Sequence, residues 1–174
     1  MKAMKLADLE AVVSALDQAR VRFIVVGGLA VALHGYSRAT YDLDLVINLD
    51  PENIRGAFRA LGKLGYRPLV PITAEQFADG STRQRWISEK GMTVLNFHSD
   101  SHRETNVDVF VTEPFDFDDE YANAWVQELI PGEPLRVARI ETIIAMKRLA
   151  GRQKDLADVE ELTNIKAALD GKKT

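Results

Sequence analysis

Residues 23–28 read Phe-Ile-Val-Val-Gly-Gly, and residues 42–49 read Asp-Leu-Asp-Leu-Val-Ile-Asn-Leu. These two segments determine the expected fold. The first is a short β-branched run that stops at two glycines, which predicts a buried strand ending in a tight turn. The second alternates and then becomes continuously apolar, which predicts a second strand. Residues 29–34 lie between them and predict a short helix that ends near Gly35.

Apolar periodicity extends this architecture along the rest of the chain. It predicts helices over residues 5–20, 51–65, 140–149 and 156–165, strands at 93–98 and 106–111, and a hairpin of residues 126–130 and 135–137. Gly151 reads as the end of the penultimate helix. Residues 66–90 indicate only a short helix near 81–86. The fold class expected is α+β (mixed α/β), with a small central mixed sheet flanked by helices and a C-terminal helical pair.

The composition restricts the classes of function. The 174 residues include no cysteine, which excludes a disulfide scaffold, a cysteine-ligated metal and a thiol nucleophile. Hydrophobic residues make up 46% of the chain, which is typical of a globular domain rather than a disordered one. The longest apolar runs are too short to span a membrane, and residues 1–8 lack the apolar part of a signal peptide. We therefore expect a cytoplasmic protein with no membrane partner.

Charge is distributed unevenly within a net charge of −4. Residues 98–120 hold eight carboxylates and one arginine, whereas residues 136–154 hold six lysines and arginines and one glutamate. An acidic and a basic segment in one small domain suit a site that binds a metal ion and a phosphate. The alternative is that the two segments form two solvated faces.

Three carboxylates and a glycine pair are the candidates for chemistry. Asp42 and Asp44 are two residues apart on a strand, so they share a face with Cα atoms about 6.6 Å apart and repel each other unless exposed, protonated or joined by a cation. Such a pair suits a hard cation such as Mg²⁺. Gly27-Gly28 lets backbone N–H groups approach a phosphate, although a simple tight turn is the alternative. Asp108 lies in an otherwise apolar strand, where it either faces water or supplies a general base or second-metal ligand.

These motifs together resemble the signature of the DNA polymerase β-like nucleotidyltransferase superfamily. The signature comprises Val26-Gly-Gly, thirteen residues that follow Gly28, Asp42-Leu-Asp-Leu and Val107-Asp-Val. Residues 27–44 and 144–158 are similar to minimal nucleotidyltransferases and to toxin-like members of the AbiEii type from abortive-infection systems. One departure is that many relatives have Gly-Ser where this chain has Gly27-Gly28, so a serine hydroxyl is absent from the expected phosphate site.

The resemblance implies roles for individual residues. Gly27 and Gly28 would lie at the nucleotide phosphates, Asp42 and Asp44 would be metal ligands, and Asp108 would be the third carboxylate that activates an acceptor hydroxyl. Two Mg²⁺ ions, with Mn²⁺ as an alternative, would assist a nucleoside triphosphate (NTP) substrate.

Further polar residues are candidates for contact with the triphosphate. Arg38 and Thr40 are expected at its oxygens or else in a surface turn. Lys147 is expected to reach a phosphate as a point charge. An ion pair of Asp158 with Lys154 is expected from their i, i+4 spacing.

The resulting expectation is a single nucleotidyltransferase-like domain over residues 1–174, with its catalytic core at about 20–115 and its C-terminal helices at about 139–170. It would transfer a nucleoside monophosphate from an NTP to a hydroxyl acceptor and release pyrophosphate. It would act as a free enzyme or as part of a toxin–antitoxin or abortive-infection system.

Several alternatives remain open at this stage. The acceptor would be an RNA end, a protein hydroxyl or a small molecule, and a cognate partner protein or a homodimer would help to bind it. If the acceptor is tRNA, residues 136–154 would form its footprint. The alternative class is a non-catalytic, antitoxin-like module that binds a nucleotide or a partner.

Overall fold

The structure, a computed structural model, describes residues 2–172, so residues 1, 173 and 174 of the expected domain lie outside the described part. The helices are α1 Leu6–Gln18, α2 Gly27–Leu33, α3 Pro51–Lys63, α4 Ala74–Ala78, α5 Gly80–Lys90, α6 Phe117–Asn123, α7 Ile140–Ala150 and α8 Gln153–Gly171. The strands are β1 Phe23–Val26, β2 Asp42–Ile47, β3 Tyr66–Pro68, β4 Val94–Ser99, β5 Asn106–Phe110, β6 Trp125–Ile130 and β7 Glu133–Val137.

The strands within residues 2–172 form one seven-stranded sheet in the order β3-β4-β5-β2-β1-β7-β6. Strand β2 runs parallel to β5 and antiparallel to β1, and β1 runs parallel to β7. The predicted mixed α/β class and the mixed sheet are therefore confirmed. The sheet is larger than the small one expected, because the terminal hairpin of β6 and β7 joins it through β1 and the short strand β3 extends its other edge.

The central strands are in a register that aligns polar side chains in a row. Asp44 pairs with Asp108 across β2 and β5, and Asp108 pairs with Asn96 on β4. Directly paired residues project from the same face of a sheet, so these three side chains lie side by side. The intervening residues of β2 and β5, such as Leu43 and Val107, are fully buried on the opposite face. The alternation along β5 and the first half of β2 anchors the register, because a one-residue slip would bury the carboxylates.

Two helical regions depart from the expectation. Helix α2 begins at Gly27, so the two glycines form its first turn rather than a separate turn before it. Helix α6 was missed because it has only seven residues and little apolar periodicity. It is stabilised at its start by Asp116, whose side chain accepts a hydrogen bond from the Asp119 N–H. Residues 66–90, which predicted little, contain β3, α4 and α5.

The C-terminal helical pair packs beside the central strands. Helix α7 contacts both α2 and α8, while α1 packs against α3. Gly151 joins α7 to α8 with a φ of +64°, the left-handed conformation that favours glycine, which agrees with its prediction as a helix end. Within residues 2–172, no helix combines the length and apolarity that crossing a membrane requires.

Replacing Gly151 by alanine is expected to lower the free energy of unfolding by about 1 kcal/mol, because alanine is strained at positive φ. Gly62→Ala is the matched control. Gly62 lies in the last turn of α3 with open space around the position of a Cβ, so this change is expected to raise stability by about 0.5–1 kcal/mol. Urea unfolding measures both, and equal effects of the two substitutions would contradict the account.

Candidate active site

The eight residues singled out from the sequence line a single cleft of about 260 Å³. They come from the start of α2, the segment before β2, strands β2 and β5, and helix α7: Gly27, Gly28, Arg38, Thr40, Asp42, Asp44, Asp108 and Lys147. Asp42, Asp44 and Asp108 face the same side of the sheet, since Asp42 precedes Asp44 by two residues and Asp44 pairs with Asp108. The cleft therefore has carboxylates on its floor.

Gly27 is required by the position of Asp44. Its φ is +66°, and a Cβ built on it would lie 2.0 Å from Oδ2 of Asp44. The backbone N–H of Gly28 donates a hydrogen bond to Asp44, and a Cβ at this position would lie 3.2 Å from Nη2 of Arg38. The glycine pair thus makes room for Asp44 and Arg38 to approach the backbone closely.

The pKa of Asp44 is strongly shifted by the surroundings of its carboxyl group. The pKa of its carboxyl is raised from an ordinary value of 3.8 to about 6, mainly by burial and in addition by the charges of Asp108 and Asp42. The hydrogen bond from Gly28 and the charge of Lys147 lower this pKa in part. A carboxylate under like-charge repulsion in a half-buried position is stabilised by a bound cation.

Asp108 is oriented by a residue that the sequence did not identify. Nδ2 of Asn96 donates a 2.7 Å hydrogen bond to Oδ1 of Asp108. Burial raises the pKa of Asp108, and this hydrogen bond lowers it in part. The only signal in the sequence was a polar residue in the strand predicted at 93–98. That Asn96 is the partner of Asp108 follows only from the register of β4 on β5.

Three cationic side chains are held beside the carboxylates by two buried aspartates of α8. Asp158 accepts from Nη2 of Arg38 at 2.9 Å and contacts Nζ of Lys147 at 3.0 Å. Asp155 accepts from Nζ of Lys147 at 3.0 Å and from Nε of Arg152 at 2.6 Å. We call Arg38, Lys147 and Arg152 the cation cluster. With two carboxylates among three cations, the group retains one positive charge at the cleft.

The expected ion pair between Asp158 and Lys154 is wrong. Asp158 is 2% exposed and faces Lys147 and Arg38, whereas Lys154 lines the open cleft. Nε of Arg38 is buried and has no hydrogen-bond partner among the described residues. An unpaired buried donor of this kind favours an acceptor from outside the chain.

The donor set suits a hard divalent cation, since all three floor residues supply carboxylate oxygens. In the part of the chain that the structure describes, no group of three or more Asp, Glu or His side chains has ready-made metal-binding geometry. The carboxylates would therefore move closer together around an ion. Burial and like-charge repulsion together raise the pKa of Asp44, and a bound ion would offset both, which gives a physical reason for that movement.

The fold and the residues of this cleft identify the protein as a transferase of the nucleotidyltransferase class. The chain belongs to the family described as "Nucleotidyltransferase of unknown function (DUF6036)", whose model matches residues 4–170. No curated protein is significantly similar to the chain in sequence.

Solved nucleotidyltransferase structures share the fold at low sequence identity. The lincosamide antibiotic adenylyltransferase LnuA, solved with lincomycin, aligns with a TM-score of 0.60 and 14% identity over 94% of this chain and 99% of its own. The antibiotic-resistance factor ANT(2'')-Ia aligns with a TM-score of 0.56 and 16% identity over 96% of this chain and 91% of its own. A putative nucleotidyltransferase from Thermotoga maritima aligns with a TM-score of 0.54 and 16% identity over 91% and 92%.

Asp44→Asn is expected to stabilise the metal-free protein at pH 8. Because the pKa of Asp44 is higher in the folded state, folding binds a proton between about pH 4 and pH 6, and stability falls as the pH rises through that window. The amide removes this cost, which is about 2–3 kcal/mol for a shift of this size.

Thermal unfolding in EDTA at pH 8 and pH 4 measures this effect. The gain should be present at pH 8 and nearly absent at pH 4. Glu89→Gln, at an exposed position of α5, is the matched control and should change neither value. A loss of stability of Asp44→Asn at pH 8 would contradict the account.

Asn96→Ala is expected to raise the pKa of Asp108, because it removes the hydrogen bond that favours the ionised form. Carboxyl ¹³C chemical shifts followed through a pH titration measure the change directly. Asn123→Ala, on the distant helix α6, serves as control. An unchanged titration of Asp108 in Asn96→Ala would show that the hydrogen bond does not act on this carboxyl.

Proposed function

We propose that the protein transfers a nucleoside monophosphate from an NTP to a hydroxyl acceptor and releases pyrophosphate, with Mg²⁺ or Mn²⁺ as the metal. The observation that carries this proposal is the pairing of Asp44 with Asp108 on adjacent strands, with Asp42 on the same face, in one cleft with the cation cluster. Carboxylates for metal ions and cations for phosphates are thus present together, as a metal-bound triphosphate requires.

The cation cluster is proposed to bind the triphosphate. Lys147 and Arg152 act electrostatically on Asp44, so their charges lie near the carboxylate floor. The unpaired Nε of Arg38 supplies a donor for a phosphate oxygen. The two aspartates of α8 hold these side chains in place, which lowers the entropy lost when the nucleotide binds.

Asp108 is proposed as the general base. Its Oδ1 accepts from Asn96, so Oδ2 remains to accept the proton of the acceptor hydroxyl. The deprotonated oxygen forms a bond to the α-phosphorus while the bond from that phosphorus to the leaving pyrophosphate oxygen breaks. The cation cluster then stabilises the charge on pyrophosphate. Two divalent ions held by Asp42, Asp44 and Asp108 would neutralise the phosphates and stabilise both oxygens of the in-line displacement.

The ion pairs made by basic side chains of residues 136–154 favour a compact acceptor over a nucleic acid. Of the residues expected to form a tRNA footprint, Arg139 is bound to Asp119 and Glu120, and Lys147 and Arg152 are bound to aspartates of α8. Three of the six basic side chains of this segment are thus neutralised within the protein, which weakens its attraction for an RNA backbone. Two fold neighbours were solved with an antibiotic or its adenylylated form, LnuA with lincomycin and ANT(2'')-Ia with adenylyl-2''-tobramycin. A small hydroxylated molecule is therefore the proposed acceptor class.

Other parts of the sequence-based expectation stay predictions. They comprise the role in a toxin–antitoxin or abortive-infection system, the partner protein or homodimer, the cytoplasmic location and the division into a catalytic core and C-terminal helices. The non-catalytic module is disfavoured by the presence of all three carboxylates in one cleft.

Incubation with each of the four NTPs, labelled at the α-phosphate, together with Mg²⁺ and a cell extract tests the proposal. Wild-type protein should transfer label to one acceptor fraction, and EDTA should abolish the transfer. Asp42→Ala and Asp44→Ala should each reduce it at least about 100-fold, because each removes a proposed metal ligand. Glu89→Ala should retain full transfer, and survival of transfer in both cleft variants would refute the proposed metal site.

A further inference from the structure

A second groove, of about 610 Å³, continues from the cleft along helix α7. Met146 lines both the cleft and the groove, so the two spaces adjoin at this side chain. The remaining lining residues come from the segment after β5 and from α7: Pro114, Phe115, Arg139, Glu141, Thr142, Ala145 and Leu149. The volume is within the range of pockets that hold small organic ligands, about 300–1,000 Å³.

The groove lies on the side of the cleft at which an acceptor would meet the proposed base. Asp108 and Phe110 of β5 line the cleft, and the chain then continues to Pro114 and Phe115, which line the groove. The groove and the cleft lie against two adjacent faces of α7: Glu141, Ala145 and Leu149 face the groove. Ile143, Lys147 and Ala150 face the cleft. The groove thus follows the chain beyond the end of β5 and the face of α7 that carries Glu141 and Leu149.

The lining of the groove combines an apolar surface with negative charge. Pro114, Phe115, Ala145 and Leu149 supply apolar contacts, and Leu149 is 89% exposed. Glu141 adds a carboxylate whose nearest ion-pair contact is Lys166, at 3.5 Å.

The one arginine of the groove does not offset this negative charge. Arg139 binds both Asp119 and Glu120, so its charge is already matched by two carboxylates. The acidic segment of residues 113–120 borders the same side and contains no lysine or arginine. A ligand with a cationic group and an apolar face is therefore complementary to this groove.

We propose that this groove is the acceptor subsite and that the acceptor is a compact polyhydroxylated organic amine. The proposal rests on the proposed function and specifies its substrate class. An ammonium group of the acceptor lies at Glu141, its carbon skeleton lies on Phe115, Met146 and Leu149, and one hydroxyl extends past Met146 to Asp108. That hydroxyl gives its proton to Asp108 and its oxygen bonds to the α-phosphorus, from which pyrophosphate leaves.

Isothermal titration of the full chain with two probes tests the subsite. Kanamycin is a polyhydroxylated amine, and raffinose is an uncharged trisaccharide of similar size. Kanamycin should bind the wild-type protein, and raffinose should bind at least tenfold more weakly. Equal binding of both probes, or no binding of kanamycin, would overturn the amine as the recognised group.

Substitutions in the groove locate the binding. Glu141→Gln and Leu149→Arg are each expected to weaken kanamycin binding at least tenfold, since the first removes the carboxylate and the second places a like charge in the groove. Leu156→Arg is the matched control. Leu156 is 55% exposed on α8 and lines neither space, so this variant should bind kanamycin as the wild type does. Kanamycin binding that both groove variants leave unchanged would overturn the assignment.

Titration of the same variants with ATP and Mg²⁺ separates this inference from the proposed function. The groove variants should bind ATP within twofold of wild type. Weaker ATP binding with unchanged kanamycin binding would assign the groove to the nucleotide base and overturn the inference. Absence of ATP binding by the wild type would instead refute the proposed function, while kanamycin binding would still report on the groove.

Discussion

Asp44 and Asp108 are directly paired across two parallel strands. Both carboxyls are half-buried, and the charge of Asp108 repels that of Asp44. This repulsion between two half-buried groups constrains the residues that surround them. Gly27 lacks a side chain because Asp44 occupies the space in which its Cβ would lie. The N–H of Gly28 and the amide of Asn96 each donate to one of the two carboxylates. These contacts offset burial and like-charge repulsion only in part, since the pKa values of Asp44 and Asp108 remain raised, mainly by burial. The folded chain thus retains a local instability that a bound cation would remove.

The C-terminal helix α8 is linked to this site through buried ion pairs. Asp155 and Asp158 are almost fully buried, and each binds two members of the cation cluster. Removal of one partner from such a network leaves a buried charge without compensation, which typically costs several kcal/mol. The network therefore fixes α8 against α7 and against the segment before β2. It also explains how residues more than 100 positions apart in sequence form one cleft.

The sequence was sufficient for the features that depend on local periodicity. Strand β1 ran as predicted from Phe23 to Val26, and the alternation of β2 and β5 correctly placed their aspartates away from the buried leucines and valines. Features set by contacts between distant segments could not be predicted. Asn96 became relevant only through the register of β4, and Asp158 has partners that i, i+4 spacing could not reveal. Helix α6 is too short for its periodicity to be distinguished from a polar loop.

Proton release during metal binding tests the central claim most directly. Calorimetric titration of the protein with Mn²⁺ alone, in two buffers of different ionisation enthalpy, measures the number of protons released. Because the pKa of Asp44 is raised to about 6, binding at pH 6 should release about half a proton, and binding at pH 8 should release almost none. Asp44→Asn should lower the release at pH 6 by about that half proton. Metal binding at pH 6 without proton release, or unchanged binding in Asp44→Asn, would contradict the account.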